Sequence, residues 1–209
     1  LLRHLPMKSI WTAVLTVIGL AFAGPADADI VPFEEAIKPA VLGQADAPVT
    51  IQEYASLGCP HCAHFHQETL PQIKKDYIDT GKVKLIFNDF PLGTPALAAS
   101  MIARCAGPDR YLGFVDIFFR AQAQWARADN PLAALKKIAR FGGLSGDDVE
   151  ACLKQQNLID HIQKTAGAAS EEHGINSTPS FLVNGEKISG SQPYATFKDA
   201  IDKALEKAQ

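Results

Sequence analysis

Two cysteines with a two-residue spacer, Cys59-Pro60-His61-Cys62, are the residues of this 209-residue chain best suited to chemistry. A thiol at the first turn of a helix faces backbone N–H groups that lack intrahelical acceptors, together with the positive end of the helix dipole. Its thiolate is therefore favoured over its thiol. A low thiol pKa makes the sulfur a good leaving group and the disulfide it forms an oxidising one. A structural staple is the weaker reading of so short a spacer, because the stabilisation from a cross-link grows with the loop it closes. Cys59, nearest the helix end, is expected to be the nucleophile and the more exposed thiol. Cys62, one turn later, is expected to resolve the mixed disulfide and to be more buried. His61 places an imidazole beside the thiolate it would stabilise, and Pro60 fixes φ and starts the helix.

Three further groups lie close by in sequence. Glu53 interrupts an otherwise strand-like run, residues 49–55, six positions before Cys59. A carboxylate beneath the cysteine pair, with a raised pKa, would take up the Cys62 proton; a snorkelled or edge-strand glutamate is the plainer alternative. Cys59, Cys62 and His66 fall at i, i+3 and i+7, with His64 beside them. That is a soft ligand set for zinc or copper, although histidines on a wet helix face are the plainer explanation, since an exporting cell would keep the thiols as a disulfide, and no metal is assigned.

The elements that must position these groups follow from periodicity and punctuation. Residues 49–55 have the length and β-branched content of a buried strand, residues 63–77 read as a helix kinked near Leu70 by Pro71, and residues 82–89 form a second strand with Val83, Leu85 and Phe87 on one face. A βαβ unit with parallel strands results. Helices then follow without a strand signal for some 80 residues: 94–106 with Thr94 as N-cap and Pro95 first, ended by Pro108, then 111–125, 131–141 stopped by Gly142-Gly143, and 146–173 as one helix or two joined near Asn157. Ser145 with Asp148 resembles a capping box. Residues 180–183 and 186–189 flank Asn184-Gly185, a strong hairpin turn. Residues 194–208 close the chain as an amphipathic helix with Phe197, Ile201, Ala204 and Leu205 on its apolar face. Tyr54, Phe65, Phe90, Phe118 and Phe119 read as packing residues.

With 47% hydrophobic and 21% charged residues the composition is that of an ordinary globular protein. A formal charge of -3 without a basic run gives no reason to propose nucleic acid as a partner. Met7-Lys8, the apolar run 10–23 and Ala26-Asp27-Ala28 form the three regions of a secretory signal peptide cleaved after Ala28, with Ala23 as the other candidate. Leu1–Pro6 are then expected to lie upstream of the true start. Export places the four cysteines in an oxidising compartment, the periplasm if the organism is bacterial. Residues 29–48, with three prolines, read as an extended lead-in too short to be a domain of its own.

The order βαβ, helical insert, Thr-Pro, ββα resembles the thioredoxin fold of the DsbA family of secreted thiol:disulfide oxidoreductases. The residues that carry the resemblance are Cys59-Pro60-His61-Cys62, Glu53, Ser177-Thr178-Pro179 before a strand, and the hairpin Phe181-Leu182-Val183-Asn184-Gly185; it spans about residues 49–207. It implies an α/β thioredoxin-like domain from residues 49–93 and 176–209, interrupted by a helical subdomain at 94–175. It also implies a cis Pro179 beside the cysteines, with the Thr178 backbone left to pair with a substrate strand. By the same resemblance the protein oxidises unfolded exported proteins that carry free cysteines, needs no cofactor beyond the Cys59–Cys62 disulfide, acts as a monomer, and is re-oxidised by a DsbB-like membrane partner. A disulfide isomerase or reductase is the alternative activity. The family often adds a lysine to the buried glutamate; by spacing that position falls near Leu85, with Lys84 as a substitute. Only some DsbA-like proteins carry a second disulfide in the insert, so Cys105 and Cys152, 47 positions apart, are read as a structural bridge or, failing that, as two buried thiols.

Overall fold

The computed structural model describes residues 30–208; the expected signal peptide lies outside them. Its frame is a five-stranded sheet of order β1-β3-β2-β4-β5. β2 (Val49–Ala55) and β3 (Val83–Asp89) are parallel, in register from Val49↔Val83 to Ala55↔Asp89. β4 (Ser180–Val183) runs antiparallel to β2 on its other side, and β5 (Glu186–Ser189) antiparallel to β4. Asn184 and Gly185 turn that hairpin with positive φ values of 43° and 89°, the backbone a two-residue I′ turn needs.

The lead-in is more structured than its prolines suggest. It holds a short helix α1 (Phe33–Ala36) and β1 (Ala40–Leu42), which pairs antiparallel with β3 and closes that edge of the sheet. Arg104 fastens it: its guanidinium donates to the Lys38 carbonyl at 2.8 Å and to Asp89 Oδ2 at 2.7 Å. A basic residue 66 positions away makes this stretch ordered, which no local periodicity reports.

Alternation along the strands separates two faces. Val49, Ile51 and Ala55 of β2, Val83, Leu85 and Phe87 of β3, and Phe181 and Val183 of β4 share one core with Phe65, Ile73, Phe197 and Ile201. Tyr54 and Leu182 face the other way, onto Ala169 and Ile175. Glu53 thus points from β2 to the face covered by the helix that follows the cysteines.

That helix runs from Pro60 to Ile78, earlier in its start than the apolar pattern predicts. It comprises α2 (Pro60–His64), a π-helical turn (Phe65–Thr69), α3 (Leu70–Ile73) and a second π-turn (Lys74–Ile78). Pro71 interrupts this helix as expected, and the first π-turn lies directly before it, where a proline gives no N–H and crowds the preceding turn.

The block between the strands is helical: α4 (Thr94–Cys105), α5 (Pro108–Arg120), α6 (Gln122–Trp125), α7 (Pro131–Phe141), α8 (Gly146–Leu153) and α9 (Gln156–His173). The boundaries at Thr94 and Pro108 differ from the sequence reading. Gly93, not Thr94, caps α4. Pro108 ends no helix; it opens α5, where a missing N–H costs nothing. Residues 146–173 are two helices, α8 starting in the expected Ser145–Asp148 capping box and α9 beginning at Gln156. A second core of Met101, Leu158 and Ile162 encloses a disulfide between Cys105 and Cys152, which ties α4 to α8. The closing helix α10 (Tyr194–Lys207) returns to the sheet and seats Phe197 against Phe181 and Phe65.

Candidate active site

Cys59 occupies the N-cap of α2 with an extended backbone, and Pro60 follows as the first helical residue. Its carbonyl accepts from the N–H of Cys62 at 3.1 Å and of Ala63 at 3.2 Å, so the helix starts on the cysteine itself. Across the site the Thr178–Pro179 peptide is cis, and the Cys59 thiol donates to the Thr178 carbonyl at 3.3 Å. Cys59 retains 8% of its surface, whereas Cys62 has none. His61 is exposed.

The two thiols are driven apart electrostatically. The Cys59 pKa is lowered to about 5, first by the hydrogen bond from the Cys62 thiol, against the opposing effect of burial, and then by the Thr178 side chain and the N–H groups of Cys62 and His61. Burial pushes the Cys62 thiol far up, and the charges of a Cys59 thiolate and of Glu53 push it further. His61 thus lowers the Cys59 pKa through its main-chain amide.

Glu53 is completely buried in the central strand, paired with Phe87 on β3 and Phe181 on β4. An edge-strand or snorkelled position is ruled out. Its partner is an imidazole and not a lysine: His66 Nε2 lies 3.0 Å from both carboxylate oxygens. Leu85 does not oppose Glu53, and Lys84 turns its ammonium to the Ala45 carbonyl. His66 is accordingly no wet-face residue; its side chain is 8% exposed and packed against Phe87 and Phe119. His64 does lie at the surface, where Nδ1 meets Ser191 Oγ at 3.1 Å. Among the described residues no group of three His, Cys, Asp or Glu side chains is arranged to hold a metal ion.

Two supports escaped the sequence reading. Gln122, at the start of α6, donates its amide to the Leu57 carbonyl at 2.6 Å and the Cys59 carbonyl at 3.0 Å, tying the helical block to the cysteine turn. Ser56 is buried, its hydroxyl accepting from Leu92 N–H at 3.1 Å, and its carbonyl takes the Cys59 N–H. Gln122 carries no sequence signal. His66 carried one: a carboxylate in a buried strand needs a donor, and the facing helix supplies a histidine.

The comparisons with known proteins agree with this arrangement. The family described as Thioredoxin matches residues 35–203. A putative protein-disulfide oxidoreductase of Rickettsia felis is 32% identical over 167 residues, 79% of this chain and 60% of its own length. Disulfide bond formation protein D of Bacillus subtilis is 28% identical over 171 residues, 79% of this chain and 76% of its own length. The chain thus spans about three-fifths of the rickettsial relative. Among solved structures, Wolbachia pipientis alpha-DsbA1 superposes with a TM-score of 0.75 at 33% identity, covering 82% of this chain and 93% of that one. Oxidised BdbD from Bacillus subtilis gives 0.72 at 26% identity, covering 80% and 93%. With a matched family segment that takes in the cysteine turn, the cis-proline loop and the helical insert alike, this chain belongs to the thioredoxin family, among its DsbA-like members.

Proposed function

We propose that this protein is a thiol:disulfide oxidoreductase that introduces disulfide bonds into exported proteins through Cys59 and Cys62. The observation that carries the reading is the asymmetry of the pair: a thiol that keeps a small exposed edge, its pKa lowered to about 5, beside a sealed thiol pushed far up. A substrate thiolate attacks Cys59 Sγ of the oxidised pair; the Cys59–Cys62 bond breaks, and its electron pair leaves on Cys62, which takes up a proton. A second substrate thiolate attacks the substrate sulfur of the mixed disulfide and expels Cys59 as a thiolate. The substrate loses two electrons, and the protein ends as Cys59 thiolate and Cys62 thiol. A leaving group stable as an anion at neutral pH drives that last step forward.

In this reading Cys59 carries the mixed disulfide, as the attacked sulfur toward substrate and as the nucleophile on re-oxidation, and Cys62 is the resolving thiol, with Pro60 and His61 shaping the turn. Thr178 and Pro179 present backbone to the substrate, and Glu53 exchanges the Cys62 proton. Residues 49–93 and 176–209 form the catalytic domain, 94–175 its cover, and Cys105–Cys152 serves as a structural bridge. The substrates are unfolded exported chains with free cysteines, and a DsbB-like membrane protein restores the disulfide. No further cofactor is required, the protein works as a monomer, and residues 1–28 direct it to the periplasm. Among the described residues no helix is long and apolar enough to cross a membrane.

The test is refolding of a reduced, multi-disulfide substrate, combined with the reduction potential of the Cys59/Cys62 couple against a glutathione buffer. The oxidase reading requires stoichiometric oxidation of the substrate by the disulfide form and a potential well above that of a cytosolic thioredoxin. A thioredoxin-like potential would make the protein a reductase.

A further inference from the structure

Each redox cycle moves one proton onto and off Cys62, and Cys62 has no solvent-exposed surface. Glu53, whose charge acts on Cys62, is equally sealed. Neither group can exchange with water by itself. His66 follows Cys62 by four residues on the same helix, as the second residue of the π-turn that begins at Phe65. Its Nε2 is shared between both Glu53 oxygens at 3.0 Å. The ring also lines a cavity of about 360 Å³ between this helix, α5 and the β1–β3 edge, with Leu42, Leu70, Leu85 and Val115 as its apolar wall. With Nε2 engaged by the carboxylate, Nδ1 remains as the second proton site of the ring.

We propose that His66 is the proton relay of the buried cysteine: Glu53 exchanges a proton with Cys62, and His66 carries it between Glu53 and the water of this side cavity, away from the substrate face. The inference rests on the oxidoreductase reading above. During substrate oxidation the electron pair of the broken S–S bond comes to rest on Cys62, and one proton passes inward from the cavity through His66 and Glu53. On re-oxidation Cys59 thiolate has attacked the oxidant's disulfide, and Cys62 must lose that proton outward before it can displace the oxidant's sulfur from Cys59. An imidazole suits this task because it accepts at one nitrogen while donating at the other. A lysine at the same place would hold the carboxylate but offer no second site. The other charged groups at the cavity are Lys74 on the second π-turn and the Asp116–Arg120 pair on α5; Tyr111 of α5 also senses the Glu53 charge. Lys74 is itself paired with Asp79 and the Asp116–Arg120 pair is exposed, so these groups set the local field without contacting the Glu53 carboxylate.

The test separates the two thiol steps. Reduced protein is mixed with oxidised glutathione across pH 6–8, and formation of the Cys59–glutathione mixed disulfide is timed independently of its resolution by Cys62. His66→Gln keeps an amide N–H for Glu53 but cannot carry a proton; His66→Ala opens the ring's place to added imidazole. Expected are an unchanged first step, a resolution step slowed about tenfold or more in both variants, and recovery of His66→Ala in proportion to imidazole concentration. Resolution at the wild-type rate in His66→Gln would overturn the relay, since a hydrogen bond alone would then suffice. Equal slowing of both steps, without imidazole rescue, would overturn it as well. Failure of the wild-type protein to oxidise any dithiol substrate would instead sink the oxidoreductase reading, an outcome distinct from either.

Discussion

Replacing Cys62 by alanine removes the largest single influence on the Cys59 thiolate, the hydrogen bond from the neighbouring thiol. Hydrogen bonds to a charged acceptor contribute about 1.5–3 kcal/mol. At 1.36 kcal/mol per pKa unit, Cys62→Ala should raise the Cys59 pKa by about 1–2 units. Starting from about 5, it should then titrate at about 6–7. Cys62→Ser, which keeps a donor of similar reach, should stay within about half a unit of the parent. Ultraviolet absorbance of the thiolate, followed against pH on the reduced proteins, measures all three directly. A Cys62→Ala variant that still titrates near 5 would refute the reasoning and leave the backbone N–H groups of the helix start as the dominant cause. The same shift predicts a linkage. A depressed thiol pKa stabilises the reduced native state fully above the ordinary thiol value of 9.0, and the contribution shrinks as pH falls and is gone below about 5. The oxidised protein has no such term, so the stability gap between reduced and oxidised forms should move against the reduced form between about pH 8 and about pH 4 in parallel urea unfolding.

Asp89→Ala leaves Arg104 and Tyr111, which bond its two oxygens at 2.7 and 2.9 Å, buried without their acceptor. It should cost about 3–5 kcal/mol in urea unfolding, and a loss under about 1 kcal/mol would mean the pair is not sealed. The Cys105→Ala/Cys152→Ala variant opens a loop of 47 residues and should lose about 2–4 kcal/mol while leaving the Cys59 titration in place. Gln122→Leu leaves the Leu57 and Cys59 carbonyls without their donor; a destabilisation of about 1–3 kcal/mol is expected, and an unchanged midpoint would show that water replaces the amide.

How far the site is legible in sequence depends on the range of the interactions involved. The alternation of Val83, Leu85 and Phe87 gave β3 its buried face, and Asn184-Gly185 its hairpin, because a pleat and a two-residue turn are settled by adjacent residues. Ser145 and Asp148 announced the start of α8 for the same reason. The lead-in was illegible: β1 is three residues long and exists because β3 offers an edge and Arg104 a clamp from α4. Pro108 was misread because a proline that stops one helix and one that opens the next look alike until the flanking backbone is known.

The sequence by itself determined the chemistry: two thiols at a strand-to-helix turn, a proline that starts the helix between them, and a carboxylate in the strand beneath. Each follows from spacing within one turn or one strand, where geometry is nearly invariant. Tertiary structure decided which groups attend that chemistry. It set the cis Thr178 carbonyl against Cys59, brought Gln122 over from the insert, and turned His66 inward to Glu53 while leaving His64 at the surface. The last choice depends on how one helix is rotated over the sheet and on where its π-turn begins. Two histidines with one residue between them lie on different faces of a helix, so the rotation alone separates a buried partner from a solvated one.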